Sequence, residues 1–152
     1  DPMDFTPMNL SKVRSSVLRR TTSSFELATS ILFLSGIQHY AESPEGMAEV
    51  PTEIKNLLKN LPDQWEDSKF ISGYPGKDVV IARKGKGAWY IAGINGENTT
   101  KQINLDLVSF GGNIKWKITD AESNGFQIDK NIKTKQITVP MKPNGGFVIV
   151  IE

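Results

Sequence analysis

The spacing of apolar and polar residues divides the chain near residue 62. Before that point apolar side chains recur mostly at helical spacing, and after it short alternating runs are separated by glycine-rich turns. Spacings of three and four residues are typical of helices, whereas strict alternation is typical of strands with one buried face. The pattern therefore predicts two helices, over about residues 24–42 and 51–61, and a β-rich region over residues 63–152.

The first predicted helix is apolar almost all round, which indicates burial on most sides. Hydroxyl side chains at residues 21–24 precede it and can accept the free backbone N–H groups of its first turn. Ser43-Pro44 is expected to end it, because a residue before proline avoids the helical region. The second helix begins at Pro51, and Ile54 and Leu57 lie on its apolar face.

Residues 63–152 read as about eight strands of an antiparallel β-sandwich. Ile103, Leu105 and Leu107 alternate with polar residues, whereas residues 147–151 are apolar throughout and indicate a central strand. The predicted strands cover residues 69–72, 78–83, 88–94, 101–107, 113–119, 126–129, 136–139 and 147–151.

Composition removes several classes of function. The 152 residues include no cysteine and one histidine, which excludes disulfides, thiol nucleophiles and a three-histidine metal centre. A net charge of +1 argues against a dedicated nucleic-acid binder, which usually carries a basic excess. The longest apolar stretch, residues 25–41, is interrupted by polar side chains, so no membrane span is expected.

The side chains that could carry chemistry are few. His39 could act as a general base, although a histidine packed beside Tyr40 at a helix end is favoured. Two carboxylate pairs, Asp1 with Asp4 and Glu42 with Glu45, could do acid–base work on a glycosidic bond. Acidic side chains that lie close in sequence are more often solvated or helix-capping, and this interpretation is favoured for the second pair.

Aromatic side chains suggest a sugar-stacking surface as a further hypothesis. Trp89 and Tyr90 are adjacent on one predicted strand, so one of them faces the core and the other faces outward. Trp116 shares a face with Ile114 and Ile118, which is a core pattern. The outward ring of the first pair is the candidate for stacking on a sugar.

Four segments, in their order and spacing, resemble the late part of glycoside hydrolase family 97 enzymes. They are residues 2–7 (PMDFTP), 38–44 (QHYAESP), 79–84 (VVIARK) and 89–94 (WYIAGI). The family contains bacterial α-glucosidases and α-galactosidases, built from an N-terminal domain, a catalytic (β/α)8 barrel and a C-terminal β-sandwich. The resemblance implies that residues 1–62 are the C-terminal remnant of the barrel and residues 63–152 the C-terminal β-sandwich.

The same resemblance implies a non-catalytic role for this part of an α-glycosidase. The family's catalytic and calcium-binding carboxylates lie upstream, so we expect no catalytic residue and no metal ligand here, and the chain alone should be inactive. Asp4 is the expected substrate-proximal residue. The implied partners are the rest of the barrel and an α-linked oligosaccharide, and the parent would be periplasmic or secreted.

Two roles for the sandwich follow. It would buttress the barrel, or alternatively bind carbohydrate through exposed aromatic rings such as Trp89 or Tyr90. If the first helix is left without its barrel neighbours, its apolar surface predicts self-association through the exposed helix.

Overall fold

The computed structural model describes residues 4–11, 19–123 and 125–152. Asp1, Pro2 and Met3, which the sequence predictions used, lie outside these residues. None of the helices in this part of the chain is long and apolar enough to cross a membrane. The helices are α1 (Ser23–Leu32), α2 (Pro44–Glu49) and α3 (Thr52–Asn60), and the strands are β1 (Asp67–Tyr74), β2 (Asp78–Gly85), β3 (Ala88–Asn95), β4 (Lys101–Asp106), β5 (Ile114–Asp120), β6 (Phe126–Ile132), β7 (Gln136–Met141) and β8 (Gly146–Ile151).

The eight strands form two antiparallel sheets, as the sequence predicted. Six of them pair in the order β1-β2-β3-β8-β5-β6, and β4 pairs with β7. The two sheets enclose an apolar core in which Ile91, Phe147 and Ile149 meet Leu105 and Val139. All six residues of β8 are buried, and β8 lies between β3 and β5, which confirms it as a central strand.

Helices cover the opposite face of the six-stranded sheet. Tyr90 and Val148 on that face pack with Leu27 and Ile31 of α1 and with Leu57 of α3. The central strands of the large sheet are therefore buried on both faces, by helices on one side and by the β4-β7 pair on the other. This second covering explains why strands β3 and β8 are apolar on both faces.

The first predicted helix is too long. α1 ends at Leu32, and Phe33 already has extended backbone angles. Ser43-Pro44 does not end a helix but begins one, because the Ser43 hydroxyl accepts the Gly46 N–H and Pro44 occupies the first turn of α2. The second predicted helix, residues 51–61, is confirmed as α3 within one residue at each end.

Residues 37–41, which the helix prediction included, instead run beside residues 4–8 as a pair of parallel extended segments. We call this pair the parallel ribbon. Its bridge joins Phe5 to Gln38. Three backbone hydrogen bonds hold it, from Phe5 N to Ile37 O (3.1 Å), from His39 N to Phe5 O (3.3 Å) and from Ala41 N to Pro7 O (3.0 Å). Parallel segments need a crossover connection, and α1 lies in the stretch of chain between these two.

The expectation of an exposed helix is wrong. Nine of the ten residues of α1 are buried, because the helix lies between the parallel ribbon and the six-stranded sheet. The exposed apolar side chains come after the helix, where Phe33, Leu34 and Ile37 have 43%, 62% and 58% of their surface accessible. α1 itself therefore offers little surface for self-association, and the exposed apolar surface belongs to residues 33–37 of the predicted helix.

Candidate functional site

The two faces of the parallel ribbon differ in exposure. Phe5, Gln38 and Tyr40 are half-buried and Pro7 is buried. Exposed side chains occupy the alternate positions, namely Asp4, Thr6, Met8, Ile37, His39 and Ala41. Because successive side chains of an extended segment point to opposite faces, these six side chains share one face. We call it the open face of the ribbon.

The covered face of the ribbon packs on α1 and its C-terminal end. The rings of Phe5 and Phe33 meet edge to face with centroids 4.9 Å apart. Gln38 Nε2 donates to Phe33 O at 2.9 Å. The Tyr40 hydroxyl hydrogen-bonds with Ser30 Oγ on the helix, and burial raises the pKa of the Tyr40 phenol. These contacts fix which way the ribbon faces.

The open face carries a hydrogen-bonded polar pair. Thr6 Oγ1 and His39 Nε2 are 3.0 Å apart, although 33 positions separate them in the sequence. His39 is in an extended segment and not at a helix end, and Tyr40 points to the other face. The packing of His39 beside Tyr40 at a helix end is therefore wrong. Asp4 is exposed on the same face, and its approach to a sugar stays a prediction.

Two carboxylates hold the loop that follows the first ribbon segment. Glu42 accepts hydrogen bonds from the backbone N–H of Leu10 and of Ser11, both at 2.8 Å. Glu26, which is 5% exposed on α1, accepts the Met8 N–H at 2.8 Å. Buried N–H groups need an acceptor, and these carboxylates supply it. Glu42 is therefore engaged in loop structure and is neither freely solvated nor a helix cap. The non-catalytic interpretation of Glu42 and Glu45 stays a prediction.

A half-buried cation lies near these two carboxylates. Arg19 donates to the carbonyl oxygen of Asn9 and to Ser23 Oγ, the latter at 2.9 Å. Burial lowers the pKa of the Arg19 guanidinium, while the negative charges of Glu26 and Glu42 act in the opposite direction. Sequence spacing did not reveal this cluster. The available signal was Glu26, the one charged residue of α1.

The two candidate stacking rings are on opposite faces of β3, as alternation predicted. Tyr90 is 4% exposed and packs edge to face on Trp65. Trp89 is half-buried and meets Phe110 edge to face, with centroids 5.0 Å apart. Lys69 Nζ lies 4.8 Å from the centre of the Trp89 ring, so an ammonium already occupies one ring face. Sugar stacking on Trp89 stays a prediction.

Other aromatic rings are more exposed than these. Phe70 and Tyr74 of β1 have 68% and 66% of their surface accessible, and the two side chains line a groove of about 600 Å³ with Phe25 and Val79. Sequence reasoning missed both, because Phe70 and Tyr74 lie at the edge of the sheet and edge position is not visible in a local pattern. The groove is mainly apolar.

The sequence of residues 64–152 matches the family described as "Glycosyl-hydrolase 97 C-terminal, oligomerisation". The chain belongs to this family. The match covers the whole region from β1 to β8, so the sandwich is a glycosyl-hydrolase 97 C-terminal domain. The family predicted from the sequence is confirmed.

Relatives extend the likeness over the helical region. A protein of Streptomyces bingchenggensis named "Probable retaining alpha-galactosidase" is 29% identical over 150 residues, which cover 97% of this chain and 23% of that protein. The "Retaining alpha-galactosidase" of Bacteroides thetaiotaomicron is 27% identical over 172 residues, covering 99% of this chain and 25% of that protein. The chain thus spans about a quarter of the length of these relatives.

Solved structures of larger enzymes contain the same fold. A β-arabinopyranosidase structure is 30% identical with a TM-score of 0.77, covering 87% of this chain and 21% of that one. A family 97 enzyme from Pseudoalteromonas sp. strain K8, in complex with panose, is 23% identical with a TM-score of 0.79. That likeness covers all of this chain and 26% of the enzyme, so it includes the parallel ribbon and α1.

Metal binding is a separate question for a family 97 chain. Within residues 4–11, 19–123 and 125–152 no group of three or more histidine, aspartate or glutamate side chains could hold a metal ion. Glu26 and Glu42 are committed to backbone N–H groups. The described residues therefore do not fit a calcium ion.

Proposed function

We propose that this chain is the non-catalytic C-terminal part of a family 97 α-glycosidase that acts on α-galactosides or α-glucosides. In this proposal residues 1–62 complete the catalytic (β/α)8 barrel and residues 63–152 buttress it. The names of the two curated relatives and the fraction of their length that the chain covers support the proposal. The catalytic carboxylates, and any calcium site, would then belong to the rest of the enzyme.

The parallel ribbon is the observation that carries this proposal. Two parallel segments flank a stretch that contains α1, which is the β-α-β order from which (β/α)8 barrels are built. A two-segment parallel sheet with one face uncovered is incomplete by itself, because parallel sheets are normally buried on both faces. The remaining barrel strands would supply the neighbouring strands that this sheet lacks. The packed interior of the barrel would cover its open face.

Helix α1 provides the buttress. On one side it packs against the ribbon through Ser30, and on the other against Tyr90 and Val148 of the six-stranded sheet. Arg83 of β2 joins the two parts directly, because its guanidinium donates to Ile31 O and Leu32 O at the end of α1. A movement of the sandwich would therefore shift a barrel helix, and the sandwich would hold that helix in place.

The chain alone is expected to be inactive on nitrophenyl α-galactoside and α-glucoside. Most glycoside hydrolases need two carboxyl groups placed across the scissile bond. The open face has one carboxylate, Asp4, among the described residues, and Glu42 is committed to the loop at Leu10 and Ser11. Release of nitrophenol is the measurement, with the full-length enzyme as positive control. Turnover by the purified chain would contradict the proposal.

The isolated chain is also expected to self-associate through residues 33–37. Leu34 and Ile37 expose 62% and 58% of their surface, and adjacent exposed apolar side chains favour association. Light scattering over a concentration series should give a mass above that of a monomer, and the double variant Leu34→Ser, Ile37→Ser should lower it. Val108→Ser, at an equally exposed apolar site elsewhere, is the control. A monomer at every concentration, or equal dissociation by the control, would contradict this assignment.

A further inference from the structure

We propose that Thr6 and His39 contact the glycoside, with the His39 imidazole hydrogen-bonding a hydroxyl group of the sugar. This inference rests on the proposed function and assigns a substrate contact within it. The chain would then contribute to substrate specificity as well as to the support of the barrel.

The direction of the ribbon faces is the first argument. In a (β/α)8 barrel the helices pack outside the strands, so the strand face opposite the helices points into the barrel. Phe5 and Tyr40 face α1, where they contact Phe33 and Ser30. The open face therefore points into the interior of the barrel, and the Thr6–His39 pair lies there.

The height of the pair within the barrel is the second argument. Substrates bind at the carboxyl ends of the barrel strands. The last backbone bond of the ribbon runs from Ala41 N to Pro7 O, after which both segments continue into loops. Thr6 precedes Pro7 by one residue, and His39 precedes Ala41 by two. Their side chains therefore lie one layer of residues below the carboxyl ends of the two segments. Asp4 lies one layer deeper.

The chemistry of the pair is the third argument. Barrel interiors are filled mainly by Val, Ile and Leu side chains, so a hydroxyl and an imidazole are unusual there. The 3.0 Å contact of Thr6 Oγ1 with His39 Nε2 fixes the ring and directs Nδ1 to the other side. Within the described residues Nδ1 has no protein partner. A neutral imidazole offers one donor and one acceptor, and a sugar hydroxyl accepts or donates equally well.

The test compares variants of the full-length enzyme on nitrophenyl α-galactoside and α-glucoside. We expect His39→Ala to lower kcat/KM about tenfold or more on the preferred sugar, and Thr6→Val, which keeps the side-chain shape, to lower it several-fold. Gln38→Ala is the matched control, because Gln38 is next to His39 in the chain but its side chain lies on the covered face of the ribbon. We expect the kcat/KM of Gln38→Ala to be within twofold of wild type. Thermal unfolding of each variant checks its fold.

A set of monodeoxy α-glycosides separates a substrate contact from a structural role. If His39 binds one hydroxyl, wild type and His39→Ala should hydrolyse the analogue that lacks this hydroxyl at similar rates, whereas the variant stays slower on every other analogue. An equal loss on every analogue would overturn the inference. So would kcat/KM values within twofold of wild type for both His39→Ala and Thr6→Val. An intact wild type that is inactive on both sugars would overturn the proposed function, and this inference with it.

Discussion

Replacement of Arg83 with methionine is expected to lower the free energy of unfolding by about 3 kcal/mol. Arg83 is 7% exposed, and its guanidinium donates to Ile31 O at 2.6 Å, to Leu32 O at 2.9 Å and to Ser68 Oγ at 2.7 Å. The last carbonyl groups of a helix have no partner within the helix. Methionine would leave two of them buried without a donor, at the junction of α1 and β2.

The cost of burying the charge offsets part of this stabilisation. Burial lowers the pKa of Arg83, and no carboxylate forms an ion pair with it in the described part of the chain. The negative end of the α1 dipole provides the compensating charge. Lysine keeps a cation but lacks the planar fork of donors, so we expect Arg83→Lys to recover no more than about half of the loss.

Denaturant unfolding followed by circular dichroism measures the effect of Arg83→Met. Hydrogen exchange should locate the effect. Relative to wild type, exchange should accelerate more in the last turn of α1 than in β8. Lys84→Met is the control, because Lys84 lies on the opposite face of β2 and its loss should cost less than about 0.5 kcal/mol. An unfolding free energy for Arg83→Met equal to that of the control would show that the helix end does not need this side chain.

The strands could be predicted because their signals are local. The Gly85-Lys86-Gly87 turn and the short apolar runs on either side of it indicate a hairpin without reference to the rest of the chain, and β2 and β3 form where expected. The apolar run in β8 indicated a strand buried on both faces. The structure adds the reason, which is that α1 covers one face and the β4-β7 pair covers the other.

The helical region was harder because its decisive contacts are not local. Residues 33–41 have apolar side chains at spacings that fit a helix, but the backbone of Gln38 pairs with Phe5, 33 positions earlier. Ser43-Pro44 was assigned to a helix end, although serine before proline is equally a helix start. Local sequence does not distinguish a helix end from a helix start at this position. The extended ribbon segment before Ser43 shows that Ser43-Pro44 begins a helix.

The candidate site could be predicted only in part from the sequence, because its contacts are also non-local. His39 and Asp4 were noticed by residue type, but their common face depends on the parallel pairing of their segments. Arg83 was missed, although a signal existed. It falls on the same side of β2 as Val79 and Ile81, where alternation requires an apolar residue. A charged side chain at such a position indicates a specific buried partner.

The second large effect is expected at Asp120, where Asp120→Asn should cost about 2 kcal/mol at neutral pH. The Asp120 carboxylate accepts the hydroxyl of Thr22, the N-cap of α1, and the backbone N–H groups of Lys142 (3.3 Å) and Gly146 (3.1 Å). It thereby joins the start of the helix to the β7-β8 turn. A carboxamide would direct its NH₂ group at one of these donors.

The pH dependence of the Asp120 effect gives a second test. Burial raises the pKa of Asp120 above its ordinary value near 3.8. Between that value and the raised one the folded chain binds more protons than the unfolded chain, so the contribution of this group to stability falls as pH rises. The difference in unfolding free energy between wild type and Asp120→Asn should therefore be largest at acid pH and decline to a plateau. Denaturation at a series of pH values measures it, with Asp129→Asn, which loses a half-buried ion pair to Lys117, as control. A difference that grows as pH rises would mean that the hydrogen bonds from Thr22, Lys142 and Gly146 outweigh burial at this carboxylate.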